Sequence, residues 1–218
     1  MRFGVLGTGM VGQAIADRLV ELGHEVRMGS RQAGNEKAVE WAKGAGEAAS
    51  EGSFADAAEF GEVVVNATAG VASLSALEAA GAQNLSGKVL VDVANALDMS
   101  QGMPPTLSVC NDDSLAERIQ AAFPEARVVK ALNTINASVM VSPGELGGST
   151  HIFVCGNDEA AKAQVTEVLQ SFGWGEGNVV DLGDISSARG TEMYLPLWLR
   201  LMGALGTAQF NIGIVRRD

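Results

Sequence analysis

Three glycines near the start of the chain, Gly7, Gly9 and Gly12, have the spacing G-x-G-x-x-G. They follow a short apolar segment typical of a buried strand and precede a segment with apolar positions at helical spacing. In such a unit the glycines allow a tight turn, the approach of a pyrophosphate to the backbone and close packing of helix on strand. The helix N-terminus then presents free N–H groups to the phosphates. This pattern predicts a dinucleotide-binding site.

The residues at the end of the second predicted strand indicate which dinucleotide binds. Sites for NAD usually have Asp or Glu there, about 20 residues beyond the glycines, to hold the ribose 2′-hydroxyl. This chain has Gly29, Ser30 and Arg31 instead, and the next acid is Glu36. A hydroxyl and a permanently charged guanidinium suit a 2′-phosphate. We therefore predict that the cofactor is NADP(H) and that Ser30 and Arg31 bind it.

Three predicted strands end at or near an asparagine: Asn66, Asn95 and Asn133. Ligands of parallel α/β sheets bind beyond the carboxyl ends of the strands. An amide both donates and accepts hydrogen bonds, which suits the ribose and carboxamide of a nicotinamide. We expect Asn66, Asn95 and the nearby Thr68 at the cofactor, and Asn133 and Asn95 as positioning residues. Taken singly, each asparagine is explained as well by a loop cap.

No proton donor is recognisable at the same edge. Neither His24 nor His151 is predicted there, and no Ser/Lys or Cys/His arrangement is present. Reduction of a ketone requires a positioned acid, whereas hydride exchange between two cofactor rings can take its proton from solvent. Lys130, just before a strand end, is the candidate acid in the first case and a positioning candidate in the second. Two histidines and two cysteines without ligand spacing predict no metal site.

Strands and helices alternate along the chain, which predicts an α/β, Rossmann-type, doubly wound and mostly parallel sheet with a small C-terminal α/β portion. We place the NADP-binding domain at residues 1–142. Residues 143–218 would pack on it as an acceptor pocket or dimer contact. Predicted strands cover 2–6, 25–28, 62–66, 88–93, 127–132, 151–155 and 178–182. Predicted helices cover 10–22, 36–43, 53–60, 73–82, 112–123, 159–172 and an apolar stretch, 185–205, with breaks near Gly190 and Pro196.

Composition excludes several classes of protein. Hydrophobic residues make up 47% of the 218 residues and the net charge is −11, so the chain is globular and has no general basic face for nucleic acid or anionic membranes. The longest apolar stretch, 194–205, is interrupted by Pro196 and Arg200 and is shorter than the roughly 20 residues that span a bilayer. No signal peptide is recognisable, and we expect a cytoplasmic protein acting on small molecules.

Five segments resemble the coenzyme F420-dependent NADP oxidoreductase family, and the likeness covers nearly the whole chain. They are residues 7–12, 29–31, 129–135, 154–158 and 210–215. The resemblance implies a Rossmann domain with a small C-terminal portion, often paired as a homodimer. It also implies hydride transfer between NADPH and a 5-deazaflavin, coenzyme F420. The NADP contacts of the family correspond here to Thr8, Gly9, Met10, Val11, Ser30 and Arg31.

Two positions differ from the family pattern. Where members have a lysine shortly after the Ser-Arg pair, this chain has Asn35, with Lys37 two residues further on. Where archaeal members have a histidine near the stacked rings, it has Asn133. Members also occur in organisms that lack the deazaflavin. The identity of the hydride acceptor therefore stays open.

Two other functions fit parts of the sequence. Dehydrogenases of the β-hydroxyacid type resemble the N-terminus, but they carry a catalytic lysine on a larger helical domain, and the long apolar helix here has no lysine. A non-catalytic NADPH-sensing module would bind the cofactor without turnover. The sequence favours the reductase of a ring acceptor over both alternatives.

Overall fold

The chain forms one eight-stranded sheet with helices on both faces, in a computed structural model that describes residues 1–217. In chain order the strands are β1 (Arg2–Leu6), β2 (Glu25–Ser30), β3 (Ala49–Ser53), β4 (Val63–Asn66), β5 (Val89–Asp92), β6 (Leu97–Asp98), β7 (Thr106–Leu107), β8 (Arg127–Ala131), β9 (Ile152–Gly156) and β10 (Val179–Asp181). The two-residue strands β6 and β7 form a separate ribbon.

Ten α-helices connect and cover the strands within the described residues. They are α1 (Met10–Glu21), α2 (Glu36–Ala45), α3 (Phe54–Phe60), α4 (Gly70–Ala80), α5 (Ala82–Leu85), α6 (Leu115–Ala122), α7 (Ala137–Val141), α8 (Glu159–Ser171), α9 (Ala188–Met193) and α10 (Leu195–Leu205). Within residues 1–217, none of them has the length and apolar character needed to cross a bilayer.

The strand order confirms the predicted Rossmann-type fold. Across the sheet it is β10-β9-β8-β5-β4-β1-β2-β3, and every neighbouring pair is parallel except β8 with β9. The chain runs outward from β1 through β2 to β3, then returns to the other side of β1 and runs outward through β4, β5 and β8. The order therefore reverses between β1 and β4, which is where ligands of such sheets bind.

Both faces of the sheet are buried, which explains the nearly continuous apolar runs in its central strands. Phe3 and Val5 of β1 pack into a core on one face with residues of α1, α7 and α8. Leu6, the next residue along, packs into a second core on the other face with residues of α3, α4 and α6. Side chains alternate between faces along a strand, so a central strand supplies apolar residues to both cores.

Some elements differ from the prediction. Strand β3 was not predicted because its sequence, Ala-Ser-Glu-Gly-Ser, has no apolar alternation and lies at the sheet edge. The stretch 185–205 is divided at Tyr194, two residues before Pro196, whereas Gly190 lies inside α9; the predicted break at Gly190 is wrong. Strands β9 and β10 extend the same sheet, and the division at residue 142 stays a prediction.

Helix α3 begins with reciprocal hydrogen bonds between Ser53 and Asp56. The Ser53 Oγ accepts a hydrogen bond from the Asp56 N–H at 3.1 Å, and the Asp56 carboxylate accepts one from the Ser53 N–H at 2.8 Å. These bonds satisfy backbone donors that the first helical turn leaves free. The hydrogen bonds from Ser53 also lower the pKa of Asp56.

We expect Ser53→Ala to lower the free energy of unfolding by about 1 kcal/mol, because it removes the cap of α3. Ser171→Ala is the matched control, since the exposed Ser171 hydroxyl donates only to the Val168 carbonyl. Thermal unfolding followed by circular dichroism measures both variants. Equal melting temperatures for the two would contradict the capping role.

Candidate active site

A cleft of about 890 Å³ opens at the carboxyl ends of β1, β2 and β4. Three turns form it: the glycine turn after β1, the segment after β2 and the segment after β4. Its lining residues are Gly7, Thr8, Gly9, Ser30, Arg31, Gln32, Ala33, Gly34, Asn35, Phe54, Ala67, Thr68, Ala69, Ala72, Ser75, Ala76 and Ala79. Arg31 is the one charged side chain in this lining, although the chain as a whole has a net charge of −11.

The glycine turn leaves room for a phosphate at Gly9. A Cβ atom added to Gly12 would lie 2.2 Å from the Gly7 carbonyl oxygen, and one added to Gly7 would lie 2.5 Å from the Ala67 oxygen. The fold itself therefore requires these two glycines, and Gly7 also has a φ of +122°. A Cβ added to Gly9 would meet no protein atom within 4 Å.

The N-terminus of α1 is free to bind an anion. Gly9 is its N-cap, no side chain caps the helix, and no acid lies in its first turn. Met10 begins the helix and is 74% exposed, while Val11 is half-buried against the core and Gly12 is buried. Free N–H groups and the positive end of the helix dipole are suited to a pyrophosphate. The residues present thus fit a dinucleotide.

Ser30 and Arg31 lie together at the cleft, at the end of β2. The Ser30 side chain is buried, and its hydroxyl donates a hydrogen bond to the Gln32 carbonyl oxygen at 2.5 Å, which holds the turn after β2. Arg31 is exposed, and within residues 1–217 it forms no ion pair. Asn35 caps α2 through its side-chain oxygen, which accepts from the Ala38 N–H at 3.3 Å.

Asn66 connects the cleft wall to the interior of the sheet. Its Nδ2 donates to Asp92 Oδ1 at 2.8 Å and to Ser73 Oγ at 3.0 Å. Its Oδ1 accepts from Thr68 Oγ1 at 2.6 Å and from the Thr68 N–H at 3.3 Å. Because these bonds occupy both amide hydrogens and the oxygen, Asn66 holds the segment 67–69 in the cleft wall. Of the predicted pair, Thr68 lines the cleft and Asn66 lies buried behind it.

Asn95 and Asn133 contact each other beyond the ends of β5 and β8. Asn133 Nδ2 donates to Asn95 Oδ1 at 3.0 Å, and Asn95 Nδ2 donates to the Asn133 carbonyl oxygen at 2.8 Å. The preceding Leu132 has a φ of +61°, a backbone conformation that costs a side-chain-bearing residue roughly 1–2 kcal/mol. The structure therefore brings two of the three predicted asparagines together next to a strained turn.

Lys130 is enclosed rather than exposed at the cleft. Its ammonium donates to Asp92 Oδ2 at 2.8 Å, to Glu192 Oε1 at 2.8 Å and to the Ala94 carbonyl oxygen at 2.5 Å. Burial alone would lower the pKa of Lys130, but the two carboxylates outweigh it and raise the pKa above its usual value. Held charged and away from the cleft lining, Lys130 cannot reach a substrate there as an acid; its positioning role stays a prediction.

Glu192, in α9, is a buried residue that the sequence analysis missed. Its Oε2 accepts from the Leu115 N–H at 2.8 Å and its Oε1 from the Ala116 N–H at 3.1 Å, so it caps α6 from another helix. The signal available in the sequence was Lys130 itself, because a lysine inside an apolar strand requires a buried anion.

No strong nucleophile or metal centre stands out in the part of the chain that the structure describes. Burial raises the pKa of the Cys155 thiol to about 12, which keeps it protonated at neutral pH. His151 accepts a hydrogen bond at Nδ1 from the Ile214 N–H at 3.1 Å and holds the C-terminal segment. Within residues 1–217, no three His, Cys, Asp or Glu side chains are grouped so that they could hold a metal ion.

Comparisons with known proteins agree with this geometry. The profile of a family described as NADP oxidoreductase, coenzyme F420-dependent, matches residues 2–96. The crystal structure of a candidate F420-dependent NADP reductase from Arthrobacter sp. FB24 is 54% identical, with a TM-score of 0.93 over 99% of this chain and 100% of that chain. Metalloreductase STEAP3 of Rattus norvegicus is 31% identical over 205 residues, which are 90% of this chain and 38% of that protein.

The chain thus spans less than two fifths of the length of that curated relative. A reductive aminase from Aspergillus terreus, solved with NADPH and ethyl levulinate, is 19% identical with a TM-score of 0.66 over 93% of this chain and 62% of that chain. At this identity the likeness shows the fold alone.

We expect Gly9→Ala to fold normally and to weaken NADPH binding at least about tenfold, because the added methyl group meets no protein atom but occupies the space of a phosphate. Gly44→Ala is the matched control, since a Cβ there also meets nothing within 4 Å and the residue lies in α2, outside the cleft lining. Isothermal titration measures NADPH affinity for both. Equal affinity of the two variants would contradict a phosphate position at Gly9.

Proposed function

Because this chain belongs to the coenzyme F420-dependent NADP oxidoreductase family and is an NADP-dependent oxidoreductase, we propose that it transfers a hydride between NADPH and coenzyme F420 or a similar ring acceptor. The observation that carries the proposal is the cleft lining: a phosphate-sized space at Gly9, Arg31 as its one charged side chain, and no carboxylic acid or histidine. This lining suits NADPH and offers no general acid.

The cofactor would lie across the carboxyl ends of β1, β2 and β4. The pyrophosphate would face the N-terminus of α1, and the 2′-phosphate would lie beside the Arg31 guanidinium. The Ser30 hydroxyl would donate to this phosphate by turning away from the Gln32 carbonyl oxygen. The nicotinamide would then lie beyond the pyrophosphate, next to Thr68 and the Asn95–Asn133 pair.

The chemistry requires positioning more than proton transfer by the protein. NADPH gives up a hydride and becomes NADP⁺, while the ring acceptor gains that hydride and one proton from water. Rings held about 3–3.5 Å apart with aligned carbons react much faster than free partners in solution. This reaction does not need Lys130 or Cys155 as a proton donor at the cleft. Reduction of a small carbonyl compound would need such a donor, and Lys130 is enclosed while Cys155 stays protonated.

The acceptor would lie between the strand-end asparagines and helix α10, near Trp198 and Met202. The Trp198 ring stacks on Phe210, with centroids 5.3 Å apart and planes at 19°. Met10, 74% exposed at the start of α1, offers an apolar contact on the side of the cofactor. Coenzyme F420 has an acidic tail, and Arg200, Arg216 and Arg217 are exposed cations in the C-terminal portion that could offset the net charge of the chain.

We also propose that two copies pair through α10. Leu195 is the one buried residue of this apolar helix, and Leu197 and Leu205 are more than half exposed. Between Met193 and Arg217 the chain has three arginines and no acid, whereas the whole chain has a net charge of −11. The apolar α10 and the three arginines of this C-terminal segment in one copy would thus complement the acidic remainder of another copy.

We expect Arg31→Ala to weaken NADPH binding roughly ten- to a hundredfold and to leave NADH binding little changed. A hydrogen bond to a charged group contributes about 1.5–3 kcal/mol, and NADH lacks the phosphate that would accept it. Arg200→Ala is the control for a loss of charge outside the cleft. Isothermal titration with both dinucleotides provides the affinities. If both weaken equally, Arg31 does not recognise the 2′-phosphate.

We expect rapid oxidation of NADPH with the oxidised deazaflavin and slow or no oxidation with small ketones. FAD, FMN and quinones complete the panel of ring acceptors, and absorbance at the NADPH band follows each reaction. Turnover with a small ketone and with no ring acceptor would discard the proposal in favour of a β-hydroxyacid-dehydrogenase-like reductase. Binding of NADPH without turnover of any acceptor would favour the sensing module.

A further inference from the structure

Asp92, Lys130 and Glu192 form a buried group of charges, here called the strand-end cluster. Their exposed fractions are 0%, 1% and 1%. The Lys130 ammonium lies 2.8 Å from a carboxylate oxygen of each acid. The cluster joins β5, β8 and α9, and two hydrogen bonds separate Asp92 from Thr68 in the cleft lining.

The hydrogen bonds of the cluster identify both acids as ionised. Asp92 accepts from Asn66 Nδ2 at 2.8 Å, from the Ala94 N–H at 3.2 Å and from Lys130. Glu192 accepts from two backbone N–H groups of α6 and from Lys130. Every hydrogen-bond partner of the two carboxylates is a donor, so none of these partners accepts a carboxylic proton. Two carboxylates and one ammonium leave one surplus negative charge.

This surplus charge lies behind the wall of the cleft where the nicotinamide belongs. Asp92 ends β5 and Asn66 ends the neighbouring β4. Two hydrogen bonds, of 2.8 and 2.6 Å, lead from Asp92 through Asn66 to Thr68 in the cleft lining. The phosphates belong at β1 and β2, so the other half of the dinucleotide extends over β4 and β5.

We propose that the surplus negative charge of the strand-end cluster makes the site favour NADP⁺, whose nicotinamide is positively charged, over NADPH, whose nicotinamide is neutral. The inference rests on the proposed binding of NADP(H) in this cleft. The charge acts through the protein interior, where the effective dielectric is much lower than in water and salt screens little. The chain would thereby bias its own hydride transfer toward oxidation of NADPH on the enzyme.

The free N–H groups of α6 offset part of the charge, because Glu192 lies at the positive end of that helix. Asp92 has no such helix end. Neutralising either Asp92 or Glu192 brings the net charge of the cluster to zero, yet the two substitutions disturb different hydrogen bonds. Agreement between the two variants therefore separates the effect of charge from local disturbance.

The test measures the dissociation constants of NADP⁺ and NADPH for the full chain and for Asp92→Asn and Glu192→Gln. In both variants we expect the ratio of the NADP⁺ dissociation constant to the NADPH dissociation constant to rise about tenfold, because each variant removes one negative charge that attracts only the oxidised nicotinamide. The shift should persist in 0.5 M salt, about the concentration at which surface charges are largely screened.

Glu117→Gln is the matched control. Glu117 joins the same two helices as Glu192, through its ion pair with Arg189 at 2.6 Å, but has no bond to the cluster. The Glu117→Gln variant should be less stable than the wild type but should have the same ratio of NADP⁺ to NADPH dissociation constants. Circular dichroism checks that each variant is folded.

Three outcomes would overturn the inference: an unchanged ratio in a folded acid variant, an equal shift in Glu117→Gln, or a wild-type chain that binds NADPH more than about tenfold more tightly than NADP⁺. The last measurement decides the question even if neither acid variant folds. If the wild type bound neither dinucleotide, the proposed function itself would fail, which is a distinguishable result.

Discussion

The cofactor cleft depends on the close approach of α1 to the end of β1. Backbone N–H groups can face a phosphate only if no side chain lies between them, and the contacts of Gly7 and Gly12 leave no space for a Cβ atom. The same approach brings the carbonyl of Ala67, after β4, against the turn. One packing constraint therefore places both the glycine turn and the first residue of the cleft wall beside it.

A hydrogen-bond network begins beside Ala67 and runs along the strand ends from β4 through β5 and β8 to α9. Thr68, Asn66, Asp92 and Lys130 follow one another by hydrogen bonds, and Glu192 ends the series by capping α6. Buried charges are costly unless they are hydrogen-bonded, and every charged group of this series has hydrogen-bond partners, although one ammonium serves two carboxylates. The network connects the segment 67–69 of the cleft wall and the C-terminal helix α9 to the ends of the same strands, β5 and β8.

The central strands and the glycine turn were predictable because their signals are local. Apolar runs identify central strands such as β4 and β5, and the glycine spacing together with Ser30 and Arg31 identifies an NADP-type turn within one strand–helix–strand unit. Edge strand β3 lacks such a signal. The contact between Lys130 and Glu192 joins residues 62 positions apart and has no local pattern at all. The only sign of this contact in the sequence is a lysine inside an apolar strand, which predicts a buried acidic partner but does not identify it.

The proposed reaction passes a hydride directly from NADPH to a ring acceptor, and the proton comes from solvent. The most direct measurement is a single turnover with NADPH deuterated at the transferring position of the nicotinamide, followed by mass spectrometry of the reduced deazaflavin. With direct transfer, the reduced ring carries the deuterium and the added proton exchanges with water. A reduced ring without deuterium, or NADPH that stays unoxidised in the presence of the oxidised deazaflavin, would contradict direct hydride transfer.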